Sequence, residues 1–152
     1  MYLGYYISSC TAKNQLTFPN KLKALTGRSL LITNWFENSI IIVSAELGEE
    51  ILNTAILDAS SLLPEARDLK RFFFSHAVTV ELDSKNRFVL PKVLREYARI
   101  GDEAIFLGVG ERIELWDRKV YENYGEIREA QIRETAINHY NRIVSQKRNE
   151  HE

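Results

Sequence analysis

The sequence repeats itself at an interval of 72 residues. The segment Thr-Ala-Lys-Asn-Gln-Leu-Thr-Phe-Pro at 11–19 corresponds to Asp-Ser-Lys-Asn-Arg-Phe-Val-Leu-Pro at 83–91, with Lys, Asn and Pro in matching places. Further along, the run from Leu30 to Thr33 parallels the run from Ala104 to Leu107. An ordered series of matches over about thirty residues indicates an internal duplication. The fold is therefore restricted to architectures in which two copies of one short unit share a core.

Each copy has the same predicted local structure. An alternating strand enters a polar Lys-Asn turn, in which Asn14 and Asn86 suit a position of positive φ. A second alternating strand follows the turn. Pro19 and Pro91 stop that strand and fit the first turn of a short helix, where a missing N–H is harmless.

Glycines and apolar runs predict how each copy ends. Gly27 and Gly101 are placed to end the short helices. The Gly108-Val109-Gly110 segment is typical of a hairpin turn and not of a nucleotide-binding loop, because no helical pattern follows it. The predicted hairpins pair Ser29 to Thr33 with Ser39 to Val43, and Ala104 to Leu107 with Ile113 to Trp116.

Helices are predicted between and after the copies. The connecting pair runs from about Ala45 to Ile56 and from about Pro64 to Ser75. After Trp116 the chain is expected to be helical to about Val144, with an apolar stripe that packs against its own core or a neighbouring subunit. The polar tail from Lys147 to Glu152 is expected to fray.

Charge is segregated along the chain, although its net value is only −1. Residues 1–36 contain lysines and an arginine but no Asp or Glu, whereas residues 37–66 contain acidic residues but no Lys or Arg. The near-neutral total argues weakly against a nucleic-acid partner. The segregation nevertheless predicts a basic face beside an acidic one, and phosphate binding depends on the local face.

Signals for catalysis, metal binding and membrane insertion are missing from the sequence. Cys10, the single cysteine, can form no intrachain disulfide, which favours a reducing cytosol, and we expect it to be a small core residue. His76, His139 and His151 are scattered without the spacing of a zinc site. No run approaches the ~18 apolar residues of a membrane helix. We therefore expect no enzyme, no cofactor, no small-molecule substrate and no membrane partner.

The two polar turns are the candidate functional segments. Lys13 and Lys85 at equivalent positions can contact phosphates, and the alternative is a pair of solvated turn lysines. Arg87 can reach guanine bidentately, whereas Gln15 at the equivalent place prefers adenine. Asp83 is spaced to pair with Arg87, so a structural ion pair competes with DNA contact for that arginine.

The second turn resembles a known signature. Asp83-Ser84-Lys85-Asn86-Arg87, followed by an alternating strand and Pro91, is similar to the Asp-x-x-x-Arg motif of the MraZ and AbrB-like transcription factors. The duplicated layout resembles the MraZ family specifically, as do the segments Lys70 to Ala77 and Ile113 to Asp117. The resemblance covers about residues 1–124.

This resemblance implies a fold and a function. The fold class is α+β and β-rich: two tandem AbrB-like swapped-hairpin β units form one pseudo-twofold barrel with peripheral helices and a long C-terminal helix. The first repeat with its helix would span 1–58, and the connecting helix, second repeat and C-terminal helix 59–152. Family members assemble into closed rings on double-stranded DNA with repeated promoter boxes and repress the division and cell-wall gene cluster. A cytoplasmic, nucleoid-associated protein is implied.

The first turn departs from the family pattern, because Thr11 and Gln15 stand where Asp and Arg are usual. Copy one is therefore expected to bind DNA weakly or to read a different sequence. The alternative hypothesis is a ring-forming protein-interaction scaffold with DNA binding lost or weakened, which works through the acidic stretch or the last helix. The expected DNA-binding residues are Lys13, Gln15, Lys21, Lys23, Lys85 and Arg87.

Overall fold

A computed structural model describes residues 1–55 and 62–151 of the protein. They form two compact units, Met1–Arg118 and Lys119–Glu152, which are described separately. The strands are β1 Tyr2–Ser9, β2 Gln15–Thr17, β3 Ser29–Asn34, β4 Ile40–Ser44, β5 Val78–Glu81, β6 Arg87–Val89, β7 Glu103–Gly110 and β8 Ile113–Asp117. The helices are α1 Asn20–Thr26, α2 Ala45–Ala55, α3 Pro64–Phe74, α4 Lys92–Ala98, α5 Arg118–Glu129 and α6 Ile132–His151. The protein is thus a mixed α+β fold with a β-rich core and a long C-terminal helix, as predicted.

Six strands form one antiparallel sheet in the order β1-β7-β8-β4-β3-β5. The sequence repeat makes β1 equivalent to β5, β7 to β3 and β8 to β4, so the order is the same when read from either end. Ser8 pairs with Ala104, and its equivalent Val80 pairs with Leu30. The outer strand of each copy therefore pairs with a strand of the other copy, and the predicted equivalence of Leu30 and Ala104 agrees with the register.

The two short strands β2 and β6 form a separate antiparallel ribbon, which we call the β2–β6 ribbon. Leu16 lies opposite Phe88, its own repeat equivalent, so the pairing is symmetric about this position. Side chains alternate between the two faces of a strand. The inner face of the ribbon and the residues that follow it carry four buried apolar side chains: Leu16, Phe18, Phe88 and Leu90.

The six-stranded sheet packs against a different hydrophobic cluster on each face. The cluster under the ribbon also takes residues from α1 and α4, and it includes Leu22, Leu30, Ile32, Leu94 and Phe106. The cluster on the opposite face lies beneath α2 and α3, and it comprises Trp35, Ile41, Val43, Leu52 and Phe73. Because neighbouring residues of a strand face opposite ways, the ribbon and the helices α2 and α3 lie on opposite sides of the sheet.

The short helices begin as predicted but end differently. A proline is the N-cap of both α1 and α4, immediately before the first turn. Gly27 ends α1 with a φ of 78°, as predicted. The prediction that Gly101 ends α4 was wrong, because Arg99 takes the left-handed conformation there with a φ of 54°. The Gly101 N–H instead donates to Asp117 Oδ1 at 2.8 Å.

The second hairpin forms, but its turn lies later than the Gly108-Val109-Gly110 segment predicted. The loop is Gly110 and Glu111, and Gly110 has a φ of 91°, which suits the first position of a two-residue hairpin loop. Gly108 belongs to β7, where a Cβ atom would lie 2.4 Å from the backbone nitrogen of Leu3 in β1. Gly108 is therefore required for the close approach of β1 and not for the turn.

The connecting helices agree with the sequence pattern. α2 begins at Ala45 as predicted, and α3 spans Pro64–Phe74, within one residue of the expected end. The predicted end of the first helix at Ile56 and the predicted repeat boundary at 58/59 lie outside the described residues.

The C-terminal unit is helical, with an interruption at 130–131 that divides α5 from α6. The expected fraying after Lys147 was wrong, because α6 continues to His151. Two basic residues in its last turn, Arg148 and His151, interact favourably with the negative end of the helix dipole. Within the described residues, no helix has both the length and the apolarity to cross a bilayer.

Candidate nucleic-acid interface

The two predicted turns lie at opposite ends of the β2–β6 ribbon, and the outer face of the ribbon lies between them. Gln15 lies opposite Val89, and Thr17 lies opposite Arg87. Gln15 and Arg87 are half-buried, whereas Thr17 and Val89 are exposed. The outer face therefore carries two polar side chains that are repeat equivalents, held in place by an apolar inner face.

The second turn is built around the Asp83 carboxylate. Its Oδ1 accepts the backbone N–H of Lys85 at 2.9 Å and that of Arg87 at 2.8 Å. Its Oδ2 accepts the Arg87 Nε–H at 2.9 Å. Asn86 lies between them in the left-handed region with a φ of 62°. The predicted Asp83–Arg87 ion pair is therefore present, and it uses only one nitrogen of the guanidinium.

The first turn has the same backbone geometry with a neutral acceptor. The Thr11 hydroxyl accepts the backbone N–H of Lys13 at 3.3 Å and that of Gln15 at 3.1 Å. Asn14 has a φ of 63°, which matches the second turn. Thr11 thus replaces the capping function of the usual aspartate, and Gln15 removes the cation that the aspartate would pair with. Both turns consequently carry a net charge of +1.

Hydrogen bonds to the Asp83 carboxylate favour its ionised form. The backbone N–H of Arg87 lowers the pKa of Asp83 below its ordinary value of 3.8, and the Lys85 N–H and the Arg87 guanidinium act in the same direction. Because the folded-state pKa is lowered, Asp83 stabilises the turn above pH 3.8 and ceases to do so as the pH falls through the folded-state value.

We expect acid to loosen the second turn and not the first. The backbone amide resonances of Lys85 and Arg87 in NMR spectra should titrate with a midpoint below pH 3.8, whereas those of Lys13 and Gln15 should stay constant, because Thr11 does not ionise. Asp83→Asn, which keeps the Oδ1 acceptor, should remove the titration. Equal titration of both turns would contradict this account of the capping groups.

Two lysines of the first copy lie beside the turn of the second copy. Lys21 and Lys23 lie on α1 of the first copy, and both are next to residues of the second turn. Lys21 and Lys85 line one groove of about 840 Å³ between β1 and the ribbon, together with Asn86 and Gln15. The Lys23 Nζ donates to the Asn86 Oδ1 at 2.6 Å. The groove thus collects cations from both copies.

Lys13 lies apart from this groove, on the exposed tip of the first turn. Together with Lys85 it places one lysine at each end of the ribbon. No hydrogen bond or ion pair from the side chain of Lys13, Lys21 or Lys85 occurs among residues 1–55 and 62–151. Their ammonium groups are therefore available to an anionic partner.

Sequence reasoning missed Arg95. Its Nη1 donates to the Asn14 Oδ1 and to the Thr11 carbonyl, both at 2.7 Å. The signal for it was present, because Arg95 is the repeat equivalent of Lys23 at the interval of 72 residues.

The predicted core position of Cys10 agrees with the structure. Cys10 is buried in the cluster beneath the ribbon, and burial raises the pKa of its thiol. The His76 ring lies 3.3 Å from the Asn34 amide nitrogen. In the described part of the chain, no three or more His, Cys, Asp or Glu side chains are grouped as metal ligands would be.

Comparison with known proteins identifies the family. Residues 73–143 match the family described as "MraZ protein, putative antitoxin-like". A protein of Thermoanaerobacter sp. named transcriptional regulator MraZ is 32% identical over 139 residues, which cover 90% of this chain and 94% of the relative. A protein of the same name from Mycoplasmoides gallisepticum is 30% identical over 126 residues, which cover 83% of this chain and 88% of the relative. Another from Alkaliphilus oremlandii is 35% identical over 125 residues, which cover 82% of this chain and 86% of the relative. The resemblance predicted from the second turn is confirmed: the chain belongs to the MraZ family.

Proposed function

We propose that the protein is a sequence-specific DNA-binding transcriptional regulator that uses the outer face of the β2–β6 ribbon. The regulator name of its relatives supports the class of function. The observation that carries the proposal is a two-stranded antiparallel ribbon with a cationic turn at each end. The major groove of B-DNA admits a two-stranded β-ribbon, whose outward side chains then meet the base edges.

The dimensions of the ribbon support this placement. The Phe18 N–H donates to the Asn86 carbonyl and the Leu90 N–H to the Asn14 carbonyl, so the two turns lie at opposite ends of the ribbon. Asn14 and Phe18 are four residues apart, which at a rise of about 3.3 Å per residue separates the turns by about 13 Å. This separation is close to the major-groove width of about 12 Å, so the two turns can face the two flanking phosphate backbones.

Five of the six sequence-predicted residues receive direct roles in this proposal. Lys13, Lys21 and Lys85 contact phosphates as point charges. Arg87 reads guanine through its two Nη atoms, which have no partner among the described residues, and Gln15 reads adenine. Lys23 is the exception, because its ammonium group is bonded to Asn86. Copies one and two then read different bases on either side of the ribbon centre.

We also propose the finer architecture that the resemblance implies. Two tandem swapped-hairpin units, 1–58 and 59–152, would form one pseudo-twofold barrel. The pairing of β1 with β7 and of β5 with β3 supports this, because each pair joins strands of different copies.

The proposed working form is a closed ring of several copies on repeated promoter boxes upstream of the division and cell-wall genes, in the cytoplasm at the nucleoid. The C-terminal helices support assembly, since they expose apolar side chains that a second copy can cover: Ile127, Ile132, Ile137 and Tyr140. A ring presents many ribbons to successive boxes, so weak individual contacts combine into tight binding.

A mobility-shift titration tests the proposed function. We expect the protein to shift a duplex from its own upstream region at low salt and not a duplex of the same composition in shuffled order. With the three proposed phosphate contacts per copy, affinity should fall about fortyfold as salt rises from about 50 to about 200 mM. Equal shifts of both duplexes would contradict sequence-specific binding.

The alternative function is a ring-forming protein-interaction scaffold with DNA binding lost or weakened. The exposed apolar residues of α5 and α6 favour it, because a partner protein can cover them. The scaffold predicts no specific shift at low salt, so the same titration separates the two functions.

A further inference from the structure

A hydrogen bond connects the short helix of each repeat, α1 or α4, to the turn asparagine of the other repeat. The Lys23 Nζ on α1 donates to the Asn86 Oδ1 at 2.6 Å. The Arg95 Nη1 on α4 donates to the Asn14 Oδ1 at 2.7 Å. Lys23 and Arg95 are repeat equivalents, and so are the two asparagines. The same contact is therefore made twice, and it crosses between repeats both times.

The accepting asparagines are the residues that define the turns. Asn14 and Asn86 both take a left-handed backbone conformation, which few residues other than glycine adopt readily. Each also donates its backbone N–H at 3.0 Å to the carbonyl of the residue that begins its turn, Thr11 or Asp83. A bond to the asparagine side chain therefore restrains the centre of the turn.

The two contacts differ in the bonds that accompany them. The Arg95 guanidinium also donates to the carbonyls of Thr11, Ile100 and Gly101 at 2.7 to 2.9 Å. Among the described residues, the Lys23 ammonium has the Asn86 side chain as its single partner. From α4 the first turn thus receives two bonds, both from the Arg95 guanidinium. From α1 the second turn receives the Lys23 bond and a further bond, in which the Asn86 side-chain N–H donates to the Asn20 Oδ1.

We propose that Lys23 and Arg95 are positioning residues, each of which orders the DNA-facing turn of the other repeat before DNA binds. This proposal rests on the proposed function, and it removes Lys23 from the residues that contact DNA. A lysine that is half-buried and bonded to a turn asparagine contributes to affinity by fixing Lys85 and Arg87. An ordered turn loses less conformational freedom on binding, which strengthens the complex.

The test compares Lys23→Met with Lys21→Met. Both variants remove one positive charge from α1, but only the first removes the bond to Asn86. In the DNA-free protein, NMR amide exchange at Lys85, Asn86 and Arg87 should accelerate about tenfold in Lys23→Met. It should stay unchanged in Lys21→Met, and neither variant should alter exchange at residues 11–15.

The DNA measurement uses the mobility-shift duplex. Lys23→Met should weaken binding about five- to tenfold, and Lys23→Arg should restore it, since the second repeat makes the same contact with an arginine. Lys21→Met should weaken binding and also lower the magnitude of the salt slope by about 0.9, the value for one phosphate contact.

Asn86→Gly provides a second variant, because glycine keeps the positive φ while the Oδ1 acceptor is lost. It should accelerate exchange at the second turn only, and Asn14→Gly should accelerate exchange at the first turn only. Weaker DNA binding by Lys23→Met with unchanged exchange at residues 83–87 would overturn the proposal in favour of direct contact. Faster exchange in both turns would overturn it in favour of general destabilisation. If the wild-type protein binds neither duplex, the proposed function fails, while the exchange data still decide whether Lys23 orders the turn.

Discussion

Replacing Lys85 and Arg87 together with alanine should lower the affinity for the upstream DNA about a hundredfold, which corresponds to roughly 2.7 kcal/mol. Arg87 supplies most of this loss, because a bidentate contact with guanine discriminates by about 1–3 kcal/mol. Lys85 supplies the remainder through a phosphate, so the magnitude of the salt slope should fall by about 0.9. Titration of the double variant by mobility shift at several salt concentrations measures both quantities.

The matched control removes two positive charges from the opposite side of the sheet. Arg67 and Arg71 lie one helical turn apart on α3, which packs on the face away from the ribbon. Their double replacement with alanine should leave affinity within about threefold, since DNA at the ribbon would lose only a long-range attraction. An equal loss in both double variants would show that binding follows net charge and not the ribbon.

Replacing Phe106 with alanine should lower the free energy of unfolding by about 3–5 kcal/mol. The Phe106 side chain is fully buried, and its ring centre lies 5.4 Å from that of Phe18 and 6.3 Å from that of Phe88. Because those two rings lie beneath the ribbon, the cavity should also loosen the DNA-binding face. Urea denaturation followed by circular dichroism measures the change.

Val89→Ala is the control for this loss. Val89 lies on the outer face of the ribbon and is 56% exposed, so its truncation should cost less than about 1 kcal/mol. Comparable losses in the two variants would contradict the assignment of inner and outer faces.

The duplication made much of the fold predictable. Alternation around Leu16 and Phe88 identified the ribbon strands, and prolines located the starts of the short helices. The positive φ at Asn14 and Asn86 also followed from residue type, because asparagine tolerates the left-handed region. These features depend on local chemistry, which the sequence displays directly.

The pairing between the copies was not predictable from the residues alone. Because β3 and β7 are repeat equivalents, the same side-chain pattern allows β1 to pair with either of them, and only the whole fold decides for β7. The location of Lys21 and Lys23 beside the second turn depends on that pairing. The sequence positions of Lys21 and Lys23 therefore could not show which turn they lie beside.

The role of Thr11 was also hidden in the sequence. Threonine in place of aspartate at position 11 removes a charge, which in the sequence indicates the loss of a functional motif. The structure keeps the turn, because a hydroxyl oxygen accepts the same two backbone N–H groups as a carboxylate oxygen does. What is lost is the ion pair: Thr11 has no charge with which to pair an arginine, and Gln15 stands where the arginine would be.

Backbone amide shifts during titration with a short upstream duplex test most directly whether the ribbon contacts DNA. We expect the largest changes at residues 11–17 and 83–89 and little change in α2 and α3. Large changes at α2 and α3, with residues 11–17 and 83–89 unaffected, would contradict this expectation.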